Sequence, residues 1–188
     1  MYEVERKVKA EHDPLRTRLE AVGATHTTTL TQEDTYYNAP DRDFAQTDEA
    51  LRIRREHDAE RKTEHTVVTY KGPLVDTESK TRKEAETTVD DGDAMAKILR
   101  GLGYKPAATV TKQRERYEYQ QCVITLDSVT GIGEFIEVEY AEPVSEAEIA
   151  TAREQVTTCL QALAVDSTKS IQQSYLELVL AASATGED

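Results

Sequence analysis

Tyr2-Glu3-Val4-Glu5-Arg6-Lys7-Val8, near the start of the chain, carries the pattern that decides the fold. Successive side chains of a β-strand point to opposite faces, so Glu3, Glu5 and Lys7 share one face. The apolar side chains share the other face. The stretch therefore predicts a strand with one charged face and one apolar face.

The same alternation of charge returns in later segments. Arginines alternate with leucine and isoleucine in Leu51-Arg52-Ile53-Arg54, and basic side chains stand at every second position from Lys112 to Arg116. One face of these segments carries Arg52, Arg54, Arg82, Glu84, Glu86, Lys112, Arg114, Arg116, Glu137 and Glu139. Taken one at a time, each segment is more typical of a solvated outer face of an antiparallel sheet.

Turn and capping residues complete the predicted order of elements. Strands are expected at 2–8, 27–38, 50–56, 65–71, 81–89, 107–119, 123–127 and 134–140, with a turn at 128–133. Asp13 as N-cap, Pro14 as the first helical residue and Gly23 past the end predict a short helix. Further helices are expected at 90–102, at 145–164 behind a capping box of Ser145 and Glu148, and at 170–180.

Considered together, the charged faces favour an interior over an outer surface. The amphipathic helices need apolar sheet faces to pack against, so the charged faces of the same strands point away from the helices. Closing such a sheet gives a barrel with a charged interior. Charges in an interior are costly unless they are paired or hold ions and ligands. Cations together with carboxylates suit a triphosphate with its divalent metal, because carboxylates offer hard oxygen ligands to Mg²⁺ or Mn²⁺.

Composition excludes several other classes of protein. The 188 residues carry a formal net charge of −13 with a pI near 4.8, which opposes binding to nucleic acid. No segment approaches the roughly 18 apolar residues of a membrane span, and the N-terminus lacks the apolar run of a signal peptide, so we expect a cytoplasmic protein. The acidic excess also suits a halophilic source. We expect one domain over residues 1–180 and a frayed, flexible tail at 181–188.

An ordered set of motifs resembles the CYTH family, which is named for its adenylate cyclase and thiamine triphosphatase members. The ExExK motif is Glu3-Val4-Glu5-Arg6-Lys7. It is followed by Leu51-Arg52-Ile53-Arg54, Tyr70-Lys71-Gly72-Pro73, Lys112-Gln113-Arg114 and a block that runs from Leu126 to Glu139. The set spans nearly the whole chain. Its last two motifs most resemble those of class IV adenylate cyclases.

The resemblance implies an α+β fold, with a closed or nearly closed eight-stranded antiparallel β-barrel and helices packed outside. It implies Mg²⁺ or Mn²⁺ as cofactor, a triphosphate substrate and a homodimer. The metal would be held by Glu3, Glu5, Asp127, Glu137 and Glu139, with Glu5 and Glu137 as the principal ligands. The phosphates would be held by Lys7, Arg54, Lys71, Lys112 and Arg114. By alternation Arg52, Arg82, Arg116, Glu84 and Glu86 join the tunnel, although Arg82 or Glu84 could equally form a salt bridge at the rim. Glu5, Glu137, Lys7 and Lys112 would stand at the reacting centre.

Three functions remain open at this point. As a class IV cyclase, the protein would convert ATP to cyclic AMP and pyrophosphate by attack of the ribose 3′-oxygen on the α-phosphorus. As a thiamine triphosphatase or inorganic tripolyphosphatase, it would direct water at the terminal phosphate. As a non-catalytic module, it would bind a polyphosphorylated ligand without turnover. Glu5 and Glu137 argue against the last, because a sensor would not need a full metal set.

Overall fold

The strands close into one barrel. The structure, a computed structural model, describes residues 2–76 and 80–185. The strands are β1 (Glu3–Lys9), β2 (Thr25–Asn38), β3 (Ala50–Asp58), β4 (Thr63–Asp76), β5 (Lys80–Val89), β6 (Lys105–Tyr119), β7 (Cys122–Val129) and β8 (Gly133–Tyr140). They pair in the closed order β1-β5-β4-β3-β2-β6-β7-β8, and each neighbouring pair is antiparallel. The predicted eight-stranded antiparallel barrel is confirmed.

Helices lie outside the barrel, as the amphipathic patterns predict. They are α1 (His12–Val22), α2 (Phe44–Thr47), α3 (Gly92–Gly101), α4 (Ile149–Ala162) and α5 (Tyr175–Thr185), with 3₁₀ turns at Glu146–Glu148 and Ser167–Lys169. Within the described ranges, no helix has the length and apolar character that crossing a membrane requires.

Two buried clusters fasten the helices to the outer wall. Side chains of α1 and α4, such as Leu19 and Leu160, pack on the outward side chains of β1, β7 and β8, including Val4 and Ile124. Leu99 of α3 packs with Leu51 and Ile53 on the other side of the barrel. Each fully buried aliphatic side chain contributes roughly 1.5–3 kcal/mol. These outer contacts hold the apolar faces of the strands, so the opposite faces point into the barrel.

One end of the barrel interior is apolar and is covered by α5. Tyr36, Val110, Val129 and Phe135 form a buried cluster there with Tyr175, the first residue of α5. The backbone N–H of Ile171 donates to the carbonyl of Lys7 at 2.8 Å, which ties the segment before α5 to β1. The charged part of the interior therefore ends at this cluster.

Several element boundaries differ from the sequence prediction, and β4 exceeds its predicted length the most, at Thr63–Asp76 against the predicted 65–71. The N-cap of α1 is Glu11, so Pro14 lies inside the first turn and Asp13 caps nothing. The capping box of Ser145 and Glu148 precedes a 3₁₀ turn, and α4 begins after it. Residues 170–174 are not helical, whereas residues 181–185, predicted as tail, continue α5. Residues 186–188 of the predicted tail lie outside the described residues.

Candidate functional site

The inward faces of the strands line a cavity of about 390 Å³. Fourteen of the fifteen predicted site residues line it: Glu3, Glu5, Lys7, Arg52, Arg54, Lys71, Arg82, Glu84, Glu86, Lys112, Arg114, Arg116, Glu137 and Glu139. Asp127, the remaining predicted site residue, is fully buried and does not line the cavity. The strand pattern therefore brings the predicted cations and carboxylates into one space.

Asp127 organises the cations of β6 from behind the cavity wall. Lys112 Nζ donates to its carboxylate at 3.1 Å, and Arg114 donates with Nε at 2.7 Å and Nη2 at 2.5 Å. Burial would raise the pKa of Asp127, but the charges of Arg114 and Lys112 outweigh it and lower this pKa well below its usual range. Asp127 is therefore an anionic anchor for two cations, and a metal ion would have to compete with both for its oxygens.

Glu137 faces the cavity beside the same cations. Arg114 Nη2 donates to its carboxylate at 2.7 Å, and Lys7 Nζ lies 3.9 Å from its other oxygen. Burial would raise the pKa of Glu137, but the charges of Arg114, Lys112 and Lys7 together outweigh it and lower this pKa to about 2. Burial and the charge of Arg114 lower the pKa of Lys112 to about 8. The carboxylate of Glu137 is therefore ionised, and Glu137 lines the cavity.

A second buried carboxylate, which the sequence analysis missed, holds the arginines of β3. Arg54 donates to both oxygens of Asp34, with Nε at 2.6 Å and Nη2 at 2.7 Å, and Arg52 Nη1 lies 3.6 Å away. Burial opposes the charge on Asp34, yet Arg54 and Arg52 together lower its pKa well below its ordinary value. A bidentate pair of this kind fixes the direction of the guanidinium. Period-two spacing from Gln32 and Tyr36, which line the cavity, could have revealed Asp34.

Carboxylates crowd the opposite wall of the cavity. Lys71 Nζ lies 3.2 Å from Glu3 and also forms an ion pair with Glu84. Glu5 lies opposite Glu139 in the register of β1 and β8, so their side chains are neighbours on the inner face. On this wall Glu3, Glu5, Glu84 and Glu139 surround Lys71, one of the residues predicted to bind phosphates.

The crowding makes two of these acids hard to ionise. Burial, the hydrogen bond with Glu84 and nearby negative charge raise the pKa of Glu3 to about 9, although Lys71 opposes the shift. Burial and the charge of Glu5 raise the pKa of Glu139 to about 7. An added cation would relieve both effects, because it stabilises the ionised forms.

The donor set fits a divalent metal, even though the side chains are not yet gathered around one point. No group of three or more His, Cys, Asp and Glu side chains is already arranged to hold a metal ion in residues 2–76 and 80–185. Mg²⁺ usually takes only one or two carboxylates and completes its shell with water and substrate phosphates. The paired Glu5 and Glu139, together with the ionised Glu137, offer such oxygens to a metal bound with its substrate.

The remaining predicted residues, Arg82, Arg116 and Glu86, lie toward the edges of the cavity. Arg82 Nη1 donates to the carbonyls of Gly72 at 3.1 Å and Asp48 at 3.2 Å, so it occupies the rim. Arg116 is exposed, which puts it at the end opposite the α5 cluster. Glu86 is also exposed and accepts a hydrogen bond from Thr69 at 2.9 Å.

Several buried polar atoms on the cavity wall still need partners. Across the part of the chain that the structure describes, no hydrogen bond reaches Gln32 Oε1, Arg52 Nε, Thr125 Oγ1 or the Tyr175 hydroxyl. All four residues line the cavity. Because buried polar groups are normally hydrogen-bonded, this concentration indicates a place for a polar ligand and its water.

The raised pKa of Glu139 predicts how stability changes with pH. In chelator and without ligand, the protein is expected to melt at a lower temperature at pH 7 than at pH 5.5. Between the ordinary value of 4.5 and about 7 the folded state binds more protons at Glu139 than the unfolded chain, so stability falls as pH rises. The raised pKa of Glu3 acts in the same direction over this window. The loss is on the order of 1 kcal/mol per pH unit for each group, roughly 2–4 °C.

Glu139→Gln should flatten this pH dependence, and the exposed Glu142→Gln should leave it as in the wild type. Differential scanning fluorimetry across pH 5.5–7 makes the measurement. A wild-type melting temperature that rises over this range, or an unchanged slope in Glu139→Gln, would contradict the assignment.

The closed antiparallel barrel with its charged interior defines a triphosphate-tunnel fold. The CYTH domain profile matches residues 1–175. The chain therefore belongs to the CYTH family, as its motifs predicted. This family includes adenylate cyclases and triphosphatases, binds triphosphates and generally depends on divalent metal.

Similarity to individual proteins supports this family membership. The chain is 38% identical over 180 residues to a Methanocaldococcus jannaschii protein named "Putative adenylate cyclase MJ0240", covering 95% of this chain and 98% of that one. It is 28% identical over 147 residues to "Adenylate cyclase CyaB" of Aeromonas hydrophila, covering 78% of this chain and 71% of the relative. A solved structure of the PH1819 protein from Pyrococcus horikoshii superposes with a TM-score of 0.87 at 38% identity, covering 95% and 98% of the two chains. The predicted homodimer and domain limits stay predictions.

Proposed function

We propose that this chain is a divalent-metal-dependent adenylate cyclase that converts ATP to cyclic AMP and pyrophosphate. The observation that carries the proposal is the arrangement of charge in one cavity. Cations held by buried Asp34 and Asp127 face carboxylates that crowd around Lys71. The similarity over nearly the full length to a protein named as a putative adenylate cyclase supports the choice of reaction.

The cations of β1, β3 and β6 would bind the triphosphate. Arg54 and Arg114 are each fixed by a carboxylate that takes two of their N–H groups. The donors are therefore oriented before the substrate arrives, and little side-chain entropy is lost when phosphate oxygens bind. Lys7 and Lys112 add compact charges at the end covered by α5.

The carboxylates of β1 and β8 would hold the metal. Glu5, Glu137 and Glu139 supply the oxygens, with Glu3 close by. The bound metal would polarise the α-phosphate and favour loss of the proton from the ribose 3′-hydroxyl. The protein would mainly position the 3′-oxygen in line with the α-phosphorus and neutralise the charge on the departing pyrophosphate.

The same residues would also serve hydrolysis of a triphosphate, so the decisive measurement is of products. The purified protein is incubated with Mg²⁺ or Mn²⁺ and ATP, thiamine triphosphate or tripolyphosphate, and cyclic AMP, pyrophosphate and orthophosphate are resolved. We expect cyclic AMP and pyrophosphate in equal amounts from ATP, with no turnover in chelator.

Each other outcome has a defined meaning. Orthophosphate as the main product, with little cyclic AMP, would replace the cyclase by a triphosphatase. Tight binding without any product would leave a polyphosphate-binding module. No binding of any triphosphate would overturn the assignment of the cavity.

A further inference from the structure

Tyr175 closes the cationic part of the cavity. It is the first residue of α5, its side chain is 7% exposed, and it lines the cavity. Its ring lies under two ammonium groups, with Lys7 Nζ 4.0 Å and Lys112 Nζ 4.8 Å from the centroid. Phe135 packs edge-to-face against the ring at 5.2 Å. The ring thus stands between the charged interior and the apolar cluster under α5.

The hydroxyl of Tyr175 is buried, and no hydrogen bond of ordinary geometry joins it to a described residue. It lies near Asp127, whose oxygens already accept from Lys112 and Arg114. Burial first, and then the charges of Glu137 and Asp127, raise its pKa well above the ordinary value. The group therefore keeps its proton over the whole working pH range and can donate it to an anion. A buried hydroxyl without a partner costs free energy, which a bound phosphate oxygen would recover.

The cluster behind Tyr175 leaves no polar surface for a phosphate chain to continue along. Val110, Val129 and Phe135 occupy the next inward positions of β6, β7 and β8, and Leu176 and Val179 of α5 pack against them. Moving a phosphate into such an apolar cluster would strip its water without replacement. A row of phosphates that follows the cations to Lys7 and Lys112 must end at Tyr175.

We propose that Tyr175 is the end stop of the phosphate path, where its hydroxyl donates a hydrogen bond to the terminal phosphate. The site then selects ligands whose last phosphate is free and rejects phosphate chains that carry an organic group at both ends. Tyr175 is a binding and specificity residue in this role. The inference rests on the proposed function, because it takes the cavity to bind a triphosphate among its cations.

The test compares wild type with Tyr175→Phe, which keeps the ring, its packing and both ammonium contacts. Binding of ATP and of diadenosine triphosphate in Mg²⁺ is measured by isothermal titration calorimetry. The samples are kept ice-cold and the titrations are short, so that turnover is limited. The wild type should bind ATP at least about 100-fold more tightly. Tyr175→Phe should bind ATP about ten-fold more weakly, as expected for a lost hydrogen bond to a charged group. Its weak binding of diadenosine triphosphate should not change.

Two controls separate this role from a structural one. The melting temperature of ligand-free Tyr175→Phe should match the wild type, whereas a structural role would lower it and weaken both ligands together. Tyr117→Phe removes a hydroxyl that bonds Glu115 outside the cavity and should leave both affinities unchanged.

The contrary results distinguish failure of the end stop from failure of the proposed function. Equal binding of ATP and diadenosine triphosphate by the wild type, or an unchanged ATP affinity in Tyr175→Phe, would overturn the end stop and leave the proposed function standing. Failure of the wild type to bind ATP at all would overturn both.

Discussion

Glu137→Gln is expected to lower turnover by about a thousand-fold, the effect of losing several kcal/mol of transition-state stabilisation. The amide keeps the shape of the side chain but removes the charge that a hard divalent cation prefers. It also removes the charge partner of Arg114, whose Nη2 bonds Glu137 at 2.7 Å. Metal titrations should therefore show a higher requirement for Mg²⁺ together with the loss of rate. Glu5→Gln should behave in the same way if both residues are principal ligands.

The control for this prediction is Glu64→Gln, which changes a glutamate on the outer surface that is 85% exposed beside His57. It should keep wild-type turnover and metal dependence. Steady-state rates on ATP, thiamine triphosphate and tripolyphosphate at several metal concentrations make the comparison. Wild-type metal-dependent activity of both Glu5→Gln and Glu137→Gln on all three substrates would show that these acids are structural.

Asp34→Asn is expected to have the largest effect on stability. Wild-type Asp34 is 1% exposed and accepts from Nε and Nη2 of Arg54, with Arg52 Nη1 at 3.6 Å. Removing its charge leaves two guanidinium groups close together, with the longer contact between Arg54 and Glu56 at 4.0 Å as a weaker substitute. Breaking a buried pair in this way costs about 3–5 kcal/mol, which corresponds to a fall in melting temperature of roughly 10 °C.

A surface pair provides the matched control. Asp13→Asn changes a side chain that is 95% exposed and bonds Arg16 at 2.6 Å. Exposed pairs contribute about 0–1 kcal/mol, so its melting temperature should change by no more than about 3 °C. Thermal unfolding in chelator compares the melting temperatures of both variants with that of the wild type. A fall of less than 2 °C in Asp34→Asn would mean that Arg52 and Arg54 find other partners or water.

Period-two alternation predicted most of the charged side chains that face inward. Glu3, Glu5 and Lys7 follow that rule, and so do the cations of β3 and β6. The rule works because helices outside the barrel bury the alternate apolar residues, such as Val4 and Val8. It could not show that Asp127 lies behind the wall with its oxygens already taken, since that depends on where the Lys112 and Arg114 side chains reach.

Asp34 and Tyr175 are both absent from the predicted site, for two different reasons. Asp34 obeys the period-two rule within the predicted strand 27–38, because it stands two positions from both Gln32 and Tyr36, which line the cavity. For α5 the start signal was present in Ser174 and Glu177, whose side chains cap the helix through hydrogen bonds of 2.6–3.1 Å. The contact of Tyr175 with Lys7 and Lys112 could not have been found, because it joins segments far apart in sequence.

The position of β1 in the ring has a consequence for how the protein reaches its native state. β1 precedes the other seven strands along the chain, yet its partners in the ring are β5 and β8. Within the described residues, the β1–β5 ladder comprises three pairs, Glu3 with Arg82, Val4 with Thr81 and Glu5 with Lys80. Ladders between distant segments form slowly, because loop entropy is lost before contacts are gained. We therefore expect β1 to dock late, after β8 has left the ribosome, so Glu3 and Glu5 join the other acids only when the ring closes.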